Sequence, residues 1–200
     1  MVLQPSIDEE DSVDHFLQQW REERPDLDTS SLGITARLSR LSSDNIRVSE
    51  AALASLGLNW EMFSLIVTLR RVGPPHALRP RDLLRESLLT SGAITNRIDR
   101  VHKLGLITRR SDPSDRRSVI VRLTDSGLAL ANEAVELVFA AQQEFLSPLS
   151  HEENAQLCAL LKKLNAAAEA RAAVPTTISQ HEEVSRQFSA PGKNSRTEAT

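Results

Sequence analysis

The sequence predicts a mainly α-helical fold carrying one small β-hairpin, and three observations lead there. Apolar residues recur at spacings of three and four along most of the 200-residue chain, which is helical periodicity. Within residues 80–104 two such stretches are separated by only a few residues, so two helices meet in a tight turn. Two strand-like runs, 106–110 and 118–123, then bracket a cluster of turn-forming residues.

Taken in order, residues 1–11 are aperiodic and are expected to be disordered. Ser12–Glu23 reads as a short helix because Val13, Phe16, Leu17 and Trp20 recur at spacings of three and four, and Pro25 ends it. A longer helix follows from Ser30 to about Ala54, with Leu32, Leu38 and Leu41 on it beside Arg37, Arg40 and Arg47, closed by Gly57. Asn59 can cap Trp60–Val72, whose Phe63, Ile66, Val67 and Leu69 favour burial, before Gly73-Pro74-Pro75 stops the helix.

Pro80 suits the first turn of a short helix, Arg81–Ser87, and a second helix runs from about Ser91 to Leu104. In that second helix Ile94, Ile98 and Val101 share one face, while Thr95, Asn96, Asp99, Arg100 and Lys103 lie on or beside the other. One face is core and the other can read a partner. Gly105 caps the helix, the two strands follow, and Asp112-Pro113-Ser114-Asp115-Arg116-Arg117 forms the hairpin tip, making a wing. Thr124 caps the next helix, which extends through Leu128, Leu130, Val135, Val138, Phe139 and Phe145 to Pro148. Ser150-His151-Glu152-Glu153 is a capping box opening a last helix with Leu157, Leu160, Leu161 and Leu164 as its stripe, and 174–200 is an expected disordered tail.

Composition and charge narrow the function. A chain of this length allows one domain with tails, with 40% hydrophobic and 26% charged residues, near the globular average. Cys158 is the one cysteine, which removes a disulfide framework and fits a reducing compartment. No run of about 18 apolar residues and no leader-like N-terminus occurs, so membrane insertion and export are not expected and a cytoplasmic location is. The formal net charge of −3 hides an asymmetry: residues 70–122 hold 13 Lys and Arg against 5 Asp and Glu, and the remainder 11 against 22. A basic stretch inside an acidic protein is the footprint of a polyanion-binding surface, although a solvated basic face would carry the same excess. The chain lacks a phosphate-binding Gly-rich loop, a dinucleotide fingerprint, a metalloprotease motif and any cysteine with a histidine partner, so an enzyme is not expected. The five histidines, at 15, 76, 102, 151 and 181, nowhere share one helix face at ligand spacing, so neither a metal nor another cofactor is expected.

The order of elements, the run S-G-A-I-T-N-R-I-D-R (Ser91 to Arg100) and the wing D-P-S-D-R-R-S-V-I-V-R-L-T-D-S-G (Asp112 to Gly127) together resemble the MarR family of bacterial transcriptional regulators, over about residues 30–172. The resemblance implies a winged helix-turn-helix DNA-binding domain over 59–124, flanked by dimerisation helices over 12–58 and 125–173. It also implies a symmetric homodimer, double-stranded DNA as partner, and a small aromatic or phenolic effector bound between the dimer helices and the DNA-binding lobe. The candidate direct-readout residues are Thr95 and Asn96, with Ser91 and Arg97 flanking them; Asn96 can both donate to and accept from an adenine edge. Arg100 and Lys103 would hold phosphates, and Arg116 and Arg117 would set the wing tip against the backbone or in the minor groove, unless one of them braces Asp112 or Asp115. In a subset of the family a tryptophan placed like Trp20 lines a urate pocket, although here Trp20 can equally pack the extra helix; Cys158 is expected to be a buried structural cysteine. The alternative reading is a winged helix that contacts protein or RNA without specific DNA readout.

Overall fold

The computed structural model describes residues 10–87, 94–112 and 115–173. In chain order the elements are α1 (Ser12–Glu23), α2 (Ser30–Leu53) with a 3-10 turn over Ala54–Leu56, α3 (Trp60–Arg71), β1 (Ala77–Leu78), α4 (Pro80–Glu86), α5 (Ile94–Lys103), β2 (Ile107–Asp112), β3 (Asp115–Leu123), α6 (Asp125–Phe145) and α7 (His151–Ala173). They fall into two compact units, one ending at Pro148 and one beginning at Leu149. The expected tail at 174–200, most of the expected leader and the first turn of the second helix of the pair lie outside the described residues.

Capping sets the helix boundaries. Asp11, expected in a disordered leader, is instead the N-cap of α1: its carboxylate accepts from the Val13 and Asp14 amides, and Asp14 accepts from Asp11 in return. Arg37 of α2 grips both carboxylates, at 2.9 Å from Asp11 and 2.7 Å from Asp14, and this hydrogen bonding holds the Asp11 carboxyl below its ordinary range. Val13 and Leu17 are buried on α1, where the Cδ1 atom of Leu17 would lie 3.1 Å from a Cβ at Gly33. Asn59 caps α3 through the Met62 amide at 2.9 Å, as its sequence position implies.

Helix α3 is the hub of the first unit. Leu65, Ile66 and Leu69 are fully buried, together with Leu53 of α2, Leu83 of α4, Val101 of α5, Ile107 and Val121 of the sheet and Ala131, Ala134 and Val138 of α6. Its buried hydroxyl on Thr68 is satisfied within the helix, donating to the Ser64 carbonyl at 2.7 Å.

The sheet has three antiparallel strands in the order β1-β3-β2, one more than the sequence predicts. Strand β1 is two residues long, so it leaves no alternation to read; it exists because Ala77 and Leu78 pair with Arg122 and Val121. Between β2 and β3 the register runs from Ile107↔Leu123 to Ser111↔Val119 and then shifts before Asp112↔Asp115.

The start of α6 is bolted onto the turn that leads from α5 into β2. Gly105 takes a left-handed φ of 72°, the Thr124 amide donates to Leu106 at 3.0 Å, and the Thr124 hydroxyl donates to the Gly105 carbonyl at 2.8 Å. Gly127 then passes so close that a Cβ there would lie 1.9 Å from the Leu106 carbonyl oxygen. Gly127→Ala would gain about 1 kcal/mol of helix propensity but forces the two backbones apart, an overpacking cost of about 1 to 3 kcal/mol or more. The clash wins, and thermal melting should show a lowered Tm for Gly127→Ala; an unchanged Tm would mean that the start of α6 is free to move.

In the second unit, α7 opens on the expected capping box, with the Glu153 amide donating to Ser150 Oγ at 3.2 Å and the Ser150 amide to Glu153 Oε2 at 2.8 Å. Leu157, Leu160, Leu161 and Leu164 are exposed. Cys158, expected to be buried, is exposed with them, because nothing in residues 149–173 covers this stripe.

Candidate nucleic-acid interface

Helix α5 is amphipathic in the way a reading helix requires. Ile98 and Val101 are buried on the core side, while Thr95, Asn96, Arg100, His102 and Lys103 are exposed. The structure therefore brings Thr95, Asn96, Arg100 and Lys103 together on one accessible helix. Ser91 lies outside the described residues. Arg116 and Arg117, expected in the hairpin tip, lie in the first residues of β3 instead, because pairing with β2 carries the strand back to Asp115 rather than Ser118.

Arg97 departs from its expected place on the flank of the reading face. Its side chain is only 11% exposed and turns inward, donating through Nη2 to Glu61 of α3 at 3.0 Å. The Nε and Nη1 atoms are buried without a hydrogen-bond partner among the described residues. The physical reason is helix geometry: Arg97 precedes Ile98 and follows the partly buried Ile94 by three positions, so its stem leaves the helix at the edge that packs on α3. Arg97 is thus a strut between the hub and the reading helix, and the carboxylate it needs lies on α3, which sequence order alone does not pair with it.

On the opposite edge of α5, Asp99 accepts a hydrogen bond from Nη2 of Arg109 on β2. Elsewhere in the basic stretch, Arg71 pairs with Glu86, and Arg85 with Asp82 and Glu86, at 3.6 to 3.8 Å. Arg100, Lys103, Arg110 and Arg122 form no ion pair among the described residues, which leaves them available to an external anion. Arg110 and Arg122 were not singled out from sequence. Strand alternation is the signal that finds them: Ile107, Val121 and Leu123 point into the core, so Arg110 and Arg122 point out.

Beside this lobe an open pocket of about 600 Å³ lies between α3 and α6, lined by Val67, Arg70, Arg71, Asn132, Val135, Glu136 and Phe139. Arg70 is held across it, donating to Asn132 Oδ1 at 2.7 Å. Phe139 is 59% exposed on its wall. Trp20 is not among the lining residues; it sits on α1, 41% exposed, in edge-to-face contact with Phe16 at 6.5 Å.

A helix-turn-helix followed by a β-hairpin wing, whose sheet is completed by the short β1 before it, with a polar and basic face on the second helix, defines a winged-helix DNA-binding protein. The family profile described as "MarR family" matches residues 56–118. The HTH-type transcriptional regulator PecS of Dickeya dadantii is 37% identical over 152 residues, covering 76% of this chain and 92% of that protein. The multiple antibiotic resistance protein MarR of Escherichia coli is 29% identical over 119 residues, 59% of this chain and 81% of that one. A crystal structure of a cysteine-to-serine mutant of Escherichia coli MarR complexed with operator DNA superposes with a TM-score of 0.61 at 25% identity, covering 72% of this chain and 96% of the other. The chain belongs to the MarR family and is a DNA-binding transcriptional regulator.

The Glu61–Arg97 strut has a measurable consequence. Glu61→Ala would leave a guanidinium buried with no carboxylate, at a cost of about 1 to 3 kcal/mol. Thermal melting should show that loss, whereas Glu61→Gln, which keeps an acceptor in place, should recover part of it. Equal stability of all three proteins would return Arg97 to the solvent-facing set.

Proposed function

We propose that this protein is a ligand-responsive repressor that binds an inverted-repeat operator as a homodimer in the cytoplasm, without enzymatic activity. The observation that carries the DNA reading is the exposed set Thr95, Asn96, Arg100 and Lys103 on a helix whose other faces are locked by Ile98, Val101 and Arg97. Asn96 reads a base edge, Thr95 offers a methyl or hydroxyl beside it, and Arg100 and Lys103 hold phosphates. Ser91, which the sequence reading adds to this set, lies outside the described residues, while Arg116 and Arg117 carry the wing to the backbone or minor groove.

Dimerisation is supported by apolar side chains left uncovered on three helices. Ile34, Leu38 and Leu41 on α2, Phe139 on α6 and Leu146 at its C-cap, and Leu157, Leu160, Leu161 and Leu164 on α7 are all exposed. A two-fold axis would set two copies of α5 about 34 to 36 Å apart, one helical turn of DNA. Residues 12–58 and 125–173 are the dimerisation regions in this reading, and 59–124 the DNA-binding domain.

The test is a titration of the protein against the DNA upstream of its own gene and a random duplex, at two salt concentrations. Asn96→Ala should cost about 1 to 3 kcal/mol on the specific duplex and little on the random one. Arg100→Ala should weaken both and reduce the salt slope by about one unit. Equal losses for both variants on both duplexes would overturn the division of roles between Asn96 and Arg100, and a salt-insensitive complex would defeat the DNA reading and favour protein contact.

The pocket between α3 and α6 is the effector site in this proposal. Phe139 offers a ring face, Val67 and Val135 an apolar floor, and Arg70 and Arg71 positive charge, which suits a small aromatic or phenolic ligand bearing an oxygen anion. Calorimetry with salicylate as the probe should give binding that Phe139→Ala weakens about tenfold and Trp20→Phe leaves unchanged. The reverse pattern would move the effector to α1.

A further inference from the structure

The exposed face of α5 carries a carboxylate where a DNA-reading surface would be expected to avoid one. Asp99 lies three residues after Asn96 and four before Lys103, so it shares their side of the helix, and its side chain is 45% exposed. Left alone, it would repel the phosphates that Arg100 and Lys103 attract. It is not left alone: Arg109 Nη2 donates to Asp99 Oδ1. Among the described residues Asp99 has no other ion-pair partner, and neither has Arg109.

This bond joins the two parts of the molecule that must reach one duplex together. The turn from α5 to β2 is pinned at its base by Gly105, by the Leu106 amide on Val101 at 3.3 Å and by Thr124. That fixes where the hairpin begins, and the buried Ile107, Val121 and Leu123 with the short β1 seat its base on the core; Asp99 and Arg109 add a direct tie between the exposed sides of hairpin and helix. Arg109 stands two residues beyond Ile107, opposite the buried Val121, and reaches back to the helix from there. The link therefore acts on the direction of the hairpin. An ion pair this exposed contributes little to stability, so its role is not to hold the fold together.

We propose that Asp99 and Arg109 are positioning residues. The pair sets the angle between the recognition helix and the wing, and Arg109 cancels a carboxylate that would otherwise oppose DNA. The proposal rests on the reading of α5 as the helix that enters the groove. It assigns Arg109, a basic residue in the wing, to the protein rather than to phosphate, and separates it from Arg100, Lys103, Arg110 and Arg122, which have no such partner among the described residues.

The test uses the full chain and a duplex selected by the unaltered protein from a random pool. Asp99→Asn, Arg109→Met and the double variant are titrated on that duplex and on a random one over a range of salt, with hydroxyl-radical footprints and melting curves. Arg109→Met should bind the selected duplex about tenfold more weakly, with the double variant recovering part of that loss, because the uncompensated carboxylate is gone. Protection in the flanking minor grooves should fade in both single variants while protection in the central major grooves persists. The salt slope and the Tm should stay those of the unaltered protein.

Two results overturn the proposal while leaving the reading of α5 intact. A salt slope lower by about one unit in Arg109→Met, with the double variant no better, would show that Arg109 grips a phosphate directly. Strictly additive effects with intact flank protection would show that the pair positions nothing. If the unaltered protein selects no sequence from the pool, the reading of α5 fails and the proposal falls with it, an outcome distinct from a selective protein indifferent to Arg109→Met.

Discussion

The burial of α3 is the constraint on which the rest of the DNA-binding unit depends. Leu65, Ile66 and Leu69 have no exposed surface, and side chains from α2, α4, α5, the sheet and α6 complete the cluster around them. A helix enclosed in this way has little freedom to rotate, since any turn would move several large side chains out of close packing. The reading helix inherits that rigidity twice, through Ile98 and Val101 in the core and through Arg97 on Glu61. The exposed side of α5 that carries Asn96 is thus oriented by contacts made on the helix's other sides.

Charge in this protein is sorted by partnership as much as by count. Residues 70–122 are strongly basic, yet their arginines do different work. Arg97 is folded into the protein against a carboxylate of α3, and Arg109 spans from the wing to the helix. Arg100, Lys103, Arg110 and Arg122 keep their positive charge unopposed by any ion pair among the described residues. A neutralised arginine adds little to long-range attraction, whereas an unopposed one releases counterions when it meets a phosphate. The effective basic surface is therefore smaller and more sharply placed than the formal excess suggests.

The apolar residues left outside the core follow a similar division. Scattered exposed leucines are ordinary on a protein surface, but Leu157, Leu160, Leu161 and Leu164 repeat along one helix with no side chain of residues 149–173 over them. Cys158 shares that exposure. On α1 the opposite holds: Val13 and Leu17 are covered by α2, and Arg37 locks the helix in place through Asp11 and Asp14, leaving Phe16 and Trp20 outward.

Local chemistry explains what was legible in the sequence. Helix limits at Asn59, Thr124 and Ser150 follow from side chains that satisfy nearby amides, and the amphipathic pattern of α5 separates Ile98 and Val101 from Asn96 and Lys103 without reference to any other element. Family resemblance carried by the Ser91–Arg100 and Asp112–Gly127 runs supplied the architecture. Cys158 aside, the misplaced features are those whose environment comes from distant partners. Arg97 meets a carboxylate 36 positions away, Asp11 gains Arg37 across 26, and β1 exists only because β3 is beside it. Periodicity and capping act within a few residues and so are written in the chain, whereas ion pairing and strand registry depend on which surfaces the hydrophobic core brings together, and the tertiary structure alone decided those.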